Sequence, residues 1–142
     1  MNILVSACLL NLNCRYNGQG QTMPTTSQLL KKYNLVPICP EIYGGLSTPR
    51  ESSEIKNGRV ISQSGKDLTE YFERGAQEIL KLAKLYNCKY AILKERSPSC
   101  GYKTIYDGTF SGTVINGNGI LADLLAKNGL NILNENETDW LL

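Results

Sequence analysis

Asn2-Ile3-Leu4-Val5-Ser6-Ala7, followed at once by Cys8-Leu9-Leu10, is the stretch on which the fold turns. Ile3, Leu4 and Val5 are consecutive rather than alternating, the pattern of a strand buried on both faces, as in a parallel sheet. The apolar run from Met1 to Leu10 has no basic leading segment. It also falls short of the roughly 20 residues of a membrane span, so it is expected to be neither a targeting segment nor an anchor. Val5-Ser6-Ala7-Cys8 has a superficial likeness to a lipoprotein cleavage site, but too few residues precede the cysteine for the rest of such a signal.

Three further strands follow outward from this one. Leu35-Val36-Pro37-Ile38 reads as the second, and Pro37 places it at a sheet edge because proline has no N–H to give the ladder. Tyr90-Ala91-Ile92-Leu93 is the third and Leu130-Asn131-Ile132-Leu133 the fourth. Between them lie a short helix from Thr25 or Thr26 to Tyr33, a long amphipathic one from Lys66 to Tyr86, and a last one from Ile120 to Asn128 stopped by Gly129. The stretches Gly44–Ser64 and Ser97–Gly119 read as loops, the first with a small hairpin around Lys56-Asn57-Gly58-Arg59. Strands alternating with helices predict a single-domain, three-layer α/β sandwich over residues 1–142. Its mainly parallel four-stranded sheet is flavodoxin- or Rossmann-like, in the order 2-1-3-4.

Composition narrows the chemistry. The 142 residues are 42% hydrophobic and 20% charged, enough to bury a core, and 15 basic against 13 acidic residues give only +2. Without a basic stripe, duplex nucleic acid is not an expected partner and a small molecule is. There is no histidine, which removes Ser-His-Asp and Cys-His nucleophiles and every imidazole metal site. The five cysteines are an odd number, so a closed disulfide framework is not expected and a reducing cytoplasm is.

Ligands of open parallel sheets collect outside the carboxyl ends of the strands. Cys8 follows the first strand, Cys39 the second, and Cys100 lies in the loop after the third, so three thiols leave the sheet at one edge. Cys14, in the first loop, is within reach, whereas Cys88 precedes the third strand and reads as a buried structural thiol at the opposite edge. A free cysteine is ordinarily a small buried hydrophobe, but three at one edge suit zinc, copper(I) or an iron–sulfur cluster. Zinc wants four closed ligands, which Cys14 completes; three cysteines on a cubane leave one iron open. Cys8-Leu9-Leu10-Asn11 lacks the glycines and hydroxyls of a phosphate-cradling turn, which argues against a flavodoxin-like cofactor binder.

Several motifs, in order along nearly the whole chain, resemble the bacterial family of thiouracil desulfidases. They are Ser6-Ala7-Cys8-Leu9-Leu10, Cys14-Arg15-Tyr16-Asn17-Gly18, Cys39-Pro40-Glu41 with Gly44-Gly45-Leu46, Pro49-Arg50 with Glu54, Leu93-Lys94, Ser97-Pro98-Ser99-Cys100-Gly101, and Tyr106-Asp107-Gly108-Thr109-Phe110-Ser111-Gly112. Asn11 and Asn17 stand where the family's glycine and aspartate are expected. The resemblance implies a [4Fe-4S] cluster held by Cys8, Cys39 and Cys100. Its open iron would take the sulfur of a thiolated pyrimidine while C=S becomes C=O and hydrosulfide leaves, without net redox change. The competing reading is a zinc or persulfide carrier with no activity of its own.

Replacing sulfur by oxygen requires an acid–base group beside the reacting carbon. Glu41, two residues after Cys39, is the first candidate, and Ser97 and Ser99 flank the proline before Cys100 as donors or proton relays. Arg50 is a candidate to orient the substrate carbonyl, or else a local ion-pair partner of Glu54. Tyr106 and Phe110 are candidates to stack on the base. Asn118-Gly119 opens the last helix, whose N–H groups are a candidate anion site.

Overall fold

The computed structural model describes residues 1–142. In chain order the elements are β1 (Asn2–Ser6), α1 (Thr26–Leu30), β2 (Asn34–Ile38), α2 (Pro40–Tyr43), β3 (Ser53–Lys56), β4 (Arg59–Ser62), α3 (Thr69–Leu85), β5 (Tyr90–Leu93), β6 (Thr104–Tyr106), β7 (Val114–Asn116), α4 (Ile120–Lys127) and β8 (Asn131–Asn134). Two 3₁₀ turns, Ala7–Leu9 and Asp139–Leu141, complete the set. No helix is long and apolar enough to cross a membrane.

β1 is buried from Ile3 onward because it is flanked on both sides: β2 pairs with it parallel, Ser6 opposite Ile38, and β5 on the other side, Val5 opposite Ile92. β8 adds to β5 in the same direction, giving the all-parallel order β2-β1-β5-β8. This is the predicted order of the four sheet strands, and Pro37 does lie on an edge strand. Alternate residues feed two cores, as the two-residue period of a strand requires. Leu4, Ala91, Leu93 and Ile132 pack under α3 and α4 with Ile79, Leu121 and Leu125. Ile3, Val5 and Ile92 pack on the other face against Leu9, Met23, Leu29 and Leu141, so α1, the 3₁₀ turns and the connecting loops form the third layer.

The long helix starts at Thr69, later than its periodicity suggests, because residues 66–68 are tied to β4 by backbone hydrogen bonds. The Lys66 carbonyl accepts the Ser62 N–H at 2.8 Å, and the Leu68 N–H donates to the Val60 carbonyl at 2.8 Å. Asp67 then turns the chain into the helix, its carboxylate accepting the Thr69 N–H and hydroxyl at 3.0 and 2.6 Å. α1 ends early, and Thr25 contributes no side-chain cap; the Thr26 hydroxyl instead donates back to the Met23 carbonyl. The hairpin around Asn57-Gly58 is present as β3–β4. The Ser97–Gly119 stretch is not all loop: it contains the antiparallel pair β6–β7. β7 is exposed at all three residues, so it carries no burial alternation for a sequence reading to detect. α2 was equally invisible, being a single turn.

The connections reverse at β1. The chain steps outward from β1 to β2, then returns across β1 to β5 and continues to β8. The carboxyl ends of β1 and β5 are therefore the switch point at which such sheets open a crevice.

Candidate active site

Four side chains converge at that switch point because each is held by a different element. Ser6, the last residue of β1, accepts the Lys94 N–H at 3.0 Å, and its hydroxyl donates to Cys100 Sγ at 3.2 Å. Cys8 sits in the 3₁₀ turn directly beyond β1. Cys39 is the residue before α2, with Pro40 in the first helical position and Glu41 in the first turn, where helical N–H groups favour a carboxylate. Cys100 is fixed by its N–H to Ser97 Oγ at 2.7 Å.

The Ser97–Cys100 loop is docked on the start of α4. The Ile120 N–H donates to the Pro98 carbonyl, and the Leu121 and Ala122 N–H groups both donate to the Ser99 carbonyl, at 2.8 to 3.1 Å. The candidate anion site at Asn118-Gly119 is thus filled by the protein itself, because the loop's own carbonyls take the helix's first N–H donors. Only glycine fits at Gly119, since a Cβ there would lie 2.6 Å from the Ser99 carbonyl. On the other flank α2 presses on α3 so closely that a Cβ on Gly75 would sit 1.8 Å from the Pro40 oxygen.

A chain of polar contacts runs through the site. Ser97 Oγ and Ser99 Oγ are 3.3 Å apart, and the Ser99 hydroxyl donates to Glu41 Oε2 at 3.1 Å while lying 3.7 Å from Cys100 Sγ. Glu41 Oε1 accepts Arg50 Nε at 3.1 Å. Arg50 therefore pairs with Glu41 and not with Glu54. It also donates to the Ser47 carbonyl, the Thr48 hydroxyl and the Cys14 carbonyl, so four of its five N–H groups are engaged within the protein. The loop carrying it back toward Cys14 turns at a cis Thr48–Pro49 bond.

Ser6, Glu41, Arg50, Ser97 and Ser99 line one cavity of about 360 Å³, inside the usual range of about 300–1,000 Å³ for small-molecule sites. Cys8, Cys39 and Cys100 all face it, as do Tyr106 and Phe110, and so does a fourth thiol, Cys14. Cys88 does not, and is packed in the core beneath α3. All five cysteines are free.

Burial and mutual contact push three of the cavity thiols, Cys14, Cys39 and Cys100, toward the protonated form. Cys39 has its pKa raised, first by its hydrogen bond with Cys14 and then by burial. Cys14 is pulled down by Cys39 but pushed up by Cys8 and by burial, for a net rise. Burial drives Cys100 up to about 12 against the hydrogen bonds from Ser6 and Ser99. No three Cys, Asp or Glu side chains converge as ligands of a single metal ion. Sulfur donors spread around a cavity, with hydroxyls aimed at sulfur, suit a polynuclear cluster, whose thiolates carry such hydrogen bonds.

Sequence reasoning missed Ser6, Cys14's contact with the other thiols, and an ion pair at the cavity edge between Lys94 and the buried Glu135, 2.6 Å apart. Ser6 had one available signal: it is the polar residue ending the central strand at the switch point.

A doubly wound sheet that opens a thiol-lined cavity, with a carboxylate and hydroxyls beside the sulfur, defines an α/β enzyme of sulfur chemistry. The family model for 2-thiouracil desulfurase matches residues 3–137, and the chain belongs to that family. A curated relative, the uncharacterized protein YbbK of Bacillus subtilis strain 168, is 43% identical over 150 aligned positions covering 99% of both chains. The solved structure of TudS, described as a [4Fe-4S]-dependent thiouracil desulfidase, superposes with a TM-score of 0.93 at 38% identity. It covers 99% of this chain and 94% of the other.

Proposed function

We propose that this chain, acting as one unit, hydrolyses the thiocarbonyl of a thiolated pyrimidine such as thiouracil to the oxo base and hydrosulfide. Cys8, Cys39 and Cys100 would hold a [4Fe-4S] cluster. When bound through three cysteines, such a cluster supplies one iron without a protein ligand, a Lewis acid with affinity for sulfur. The observation that supports the reading is the Ser99–Glu41–Arg50 chain, a hydroxyl and a carboxylate hydrogen-bonded to each other beside the thiol edge.

Glu41 Oε2 takes the proton from the water that attacks the thiocarbonyl carbon, and the Ser99 hydroxyl, in contact with Ser97, passes a proton toward the departing sulfur. Arg50 fixes Glu41 in place and keeps one N–H for the substrate carbonyl. Tyr106 and Phe110 stack on the ring, a contact worth about 1–3 kcal/mol per base. Phe110 is held in the left-handed region, φ 57°, where a bulky residue stays only if its surroundings enforce it. We assign the protein to the cytoplasm, where free thiols persist.

The test is iron, zinc and acid-labile sulfide per chain in protein purified without oxygen, with uracil and hydrosulfide followed after addition of thiouracil. Iron and sulfide in equal amounts with turnover are expected. Zinc without sulfide would favour the carrier reading.

A further inference from the structure

Glu54 is the one buried carboxylate at the cavity that the reading above leaves without a task. It is 8% exposed and lines the same cavity as the thiols. It has no cationic partner: Arg50 is taken by Glu41 and Lys94 by Glu135, and none of the remaining ion pairs includes Glu54. A buried carboxylate is costly unless hydrogen bonds satisfy it.

Those bonds fall on one oxygen. Glu54 Oε1 accepts the N–H of Gly108 and the N–H of Phe110, each at 3.0 Å. This ties the β3–β4 hairpin to the tip of β6–β7 and holds Phe110 in its left-handed conformation. Oε2 makes no hydrogen bond within the protein. It is not sealed off either, since no fully buried side-chain polar atom is left without a partner. The residue therefore keeps one acceptor oxygen open beside an aromatic ring fixed by the other.

We propose that Glu54 is the substrate-recognition carboxylate: Oε1 sets the Phe110 turn and Oε2 accepts a ring N–H of the thiolated pyrimidine stacked there. The proposal rests on the desulfidase reading and names the group by which the substrate is selected. A carboxylate of this kind only accepts. It matches the N–H of a lactam or thiolactam ring and rejects a ring that carries a methyl group at that nitrogen, which leaves the acceptor unpaired.

The experiment is calorimetric binding of uracil, 1-methyluracil and 3-methyluracil to the cluster-loaded protein, wild type and Glu54→Gln. Melting curves and thiouracil turnover are recorded on the same samples. The carboxamide keeps a carbonyl oxygen for the two backbone N–H groups and presents a donor where Oε2 was. Uracil binding is expected to weaken about 10- to 100-fold in Glu54→Gln, the range for a hydrogen bond to a charged acceptor. In wild type one methylated isomer binds at least about 10-fold more weakly than the other, and in the variant the two become nearly equal.

An unchanged isomer ratio in Glu54→Gln would overturn the assignment. So would wild-type protein that binds both isomers as well as uracil, a result that needs no variant to fold. If wild type turns over thiouracil while either of these holds, only the role of Glu54 is lost. If wild type neither binds uracil nor releases hydrosulfide, the desulfidase reading fails and the proposal with it.

Discussion

Replacing Arg50 by methionine removes the clamp of the site while keeping most of its apolar stem. The Arg50 side chain is 8% exposed and its partner Glu41 17%, so the change strands a largely buried carboxylate and frees the Cys14 and Ser47 carbonyls and the Thr48 hydroxyl. Removing one member of a buried pair costs about 3–5 kcal/mol, and the residual exposure places Arg50→Met at the lower end, about 3 kcal/mol. A 142-residue chain melts with an entropy of about 0.3 kcal/mol/K, so the midpoint should fall by about 10 °C. Circular dichroism melting under anaerobic conditions, with iron measured in every sample, reads this out at equal cofactor loading. Arg50→Lys should fall in between, because a point charge replaces the fork but not its several bonds. Arg50→Met combined with Glu41→Gln should melt above Arg50→Met alone, since the stranded charge is gone. A drop of less than about 3 °C in Arg50→Met, roughly 1 kcal/mol on the same scale, would refute the clamp.

Gly75→Ala drives a methyl group into the Pro40 carbonyl and should displace the Cys39–Glu41 turn, read as lost iron in a chain that keeps its helical far-ultraviolet signal. Cys100→Ala should lose both iron and turnover. Cys88→Ala, in the core away from the cavity, should retain full iron content with a midpoint lowered by a few degrees, as expected for a loss of about 1 kcal/mol in a chain of this length. Glu41→Gln should bind iron normally and release no hydrosulfide from thiouracil; an unchanged rate would return Glu41 to a structural role. Asp67 is held down to about 2 by the Thr69 hydroxyl and N–H and by Arg59. Because its folded pKa is depressed, its contribution is present above the unfolded value and disappears as pH falls through about 2. Asp67→Asn should therefore lose stability at pH 7 and match wild type near pH 1.5, as urea titrations at the two pH values will show.

The sheet was legible because its information is local. Uninterrupted apolar triplets mark β1 and β5 as strands buried on both faces, Pro37 marks β2 as an edge, and the three- and four-residue recurrence from Phe72 to Ala83 writes the face of α3. The placement of Cys8, Cys39 and Cys100 at one edge followed from those strands together with the rule for parallel sheets. The short elements α2 and β7 were not legible, since a single turn and three exposed residues carry no periodicity.

The contacts of the site belong to another level. Glu41 and Ser99 are 58 residues apart, Ser6 and Cys100 94, and Glu54 and Phe110 56. The sequence supplied the residue types but not their partners: the local alternative it offered for Arg50, an ion pair with Glu54 four residues on, gives way to Glu41, nine residues back. The strand order and the close approaches at Gly75 and Gly119 decide which carboxylate meets which donor, and they do so because a parallel sheet joins only the carboxyl ends of strands far apart in the chain. Sequence alone determined the four sheet strands, the long helix and the thiol edge; tertiary structure decided the partners, since hydrogen bonds across such separations exist only once the sheet has brought the groups to within 3.0 to 3.2 Å.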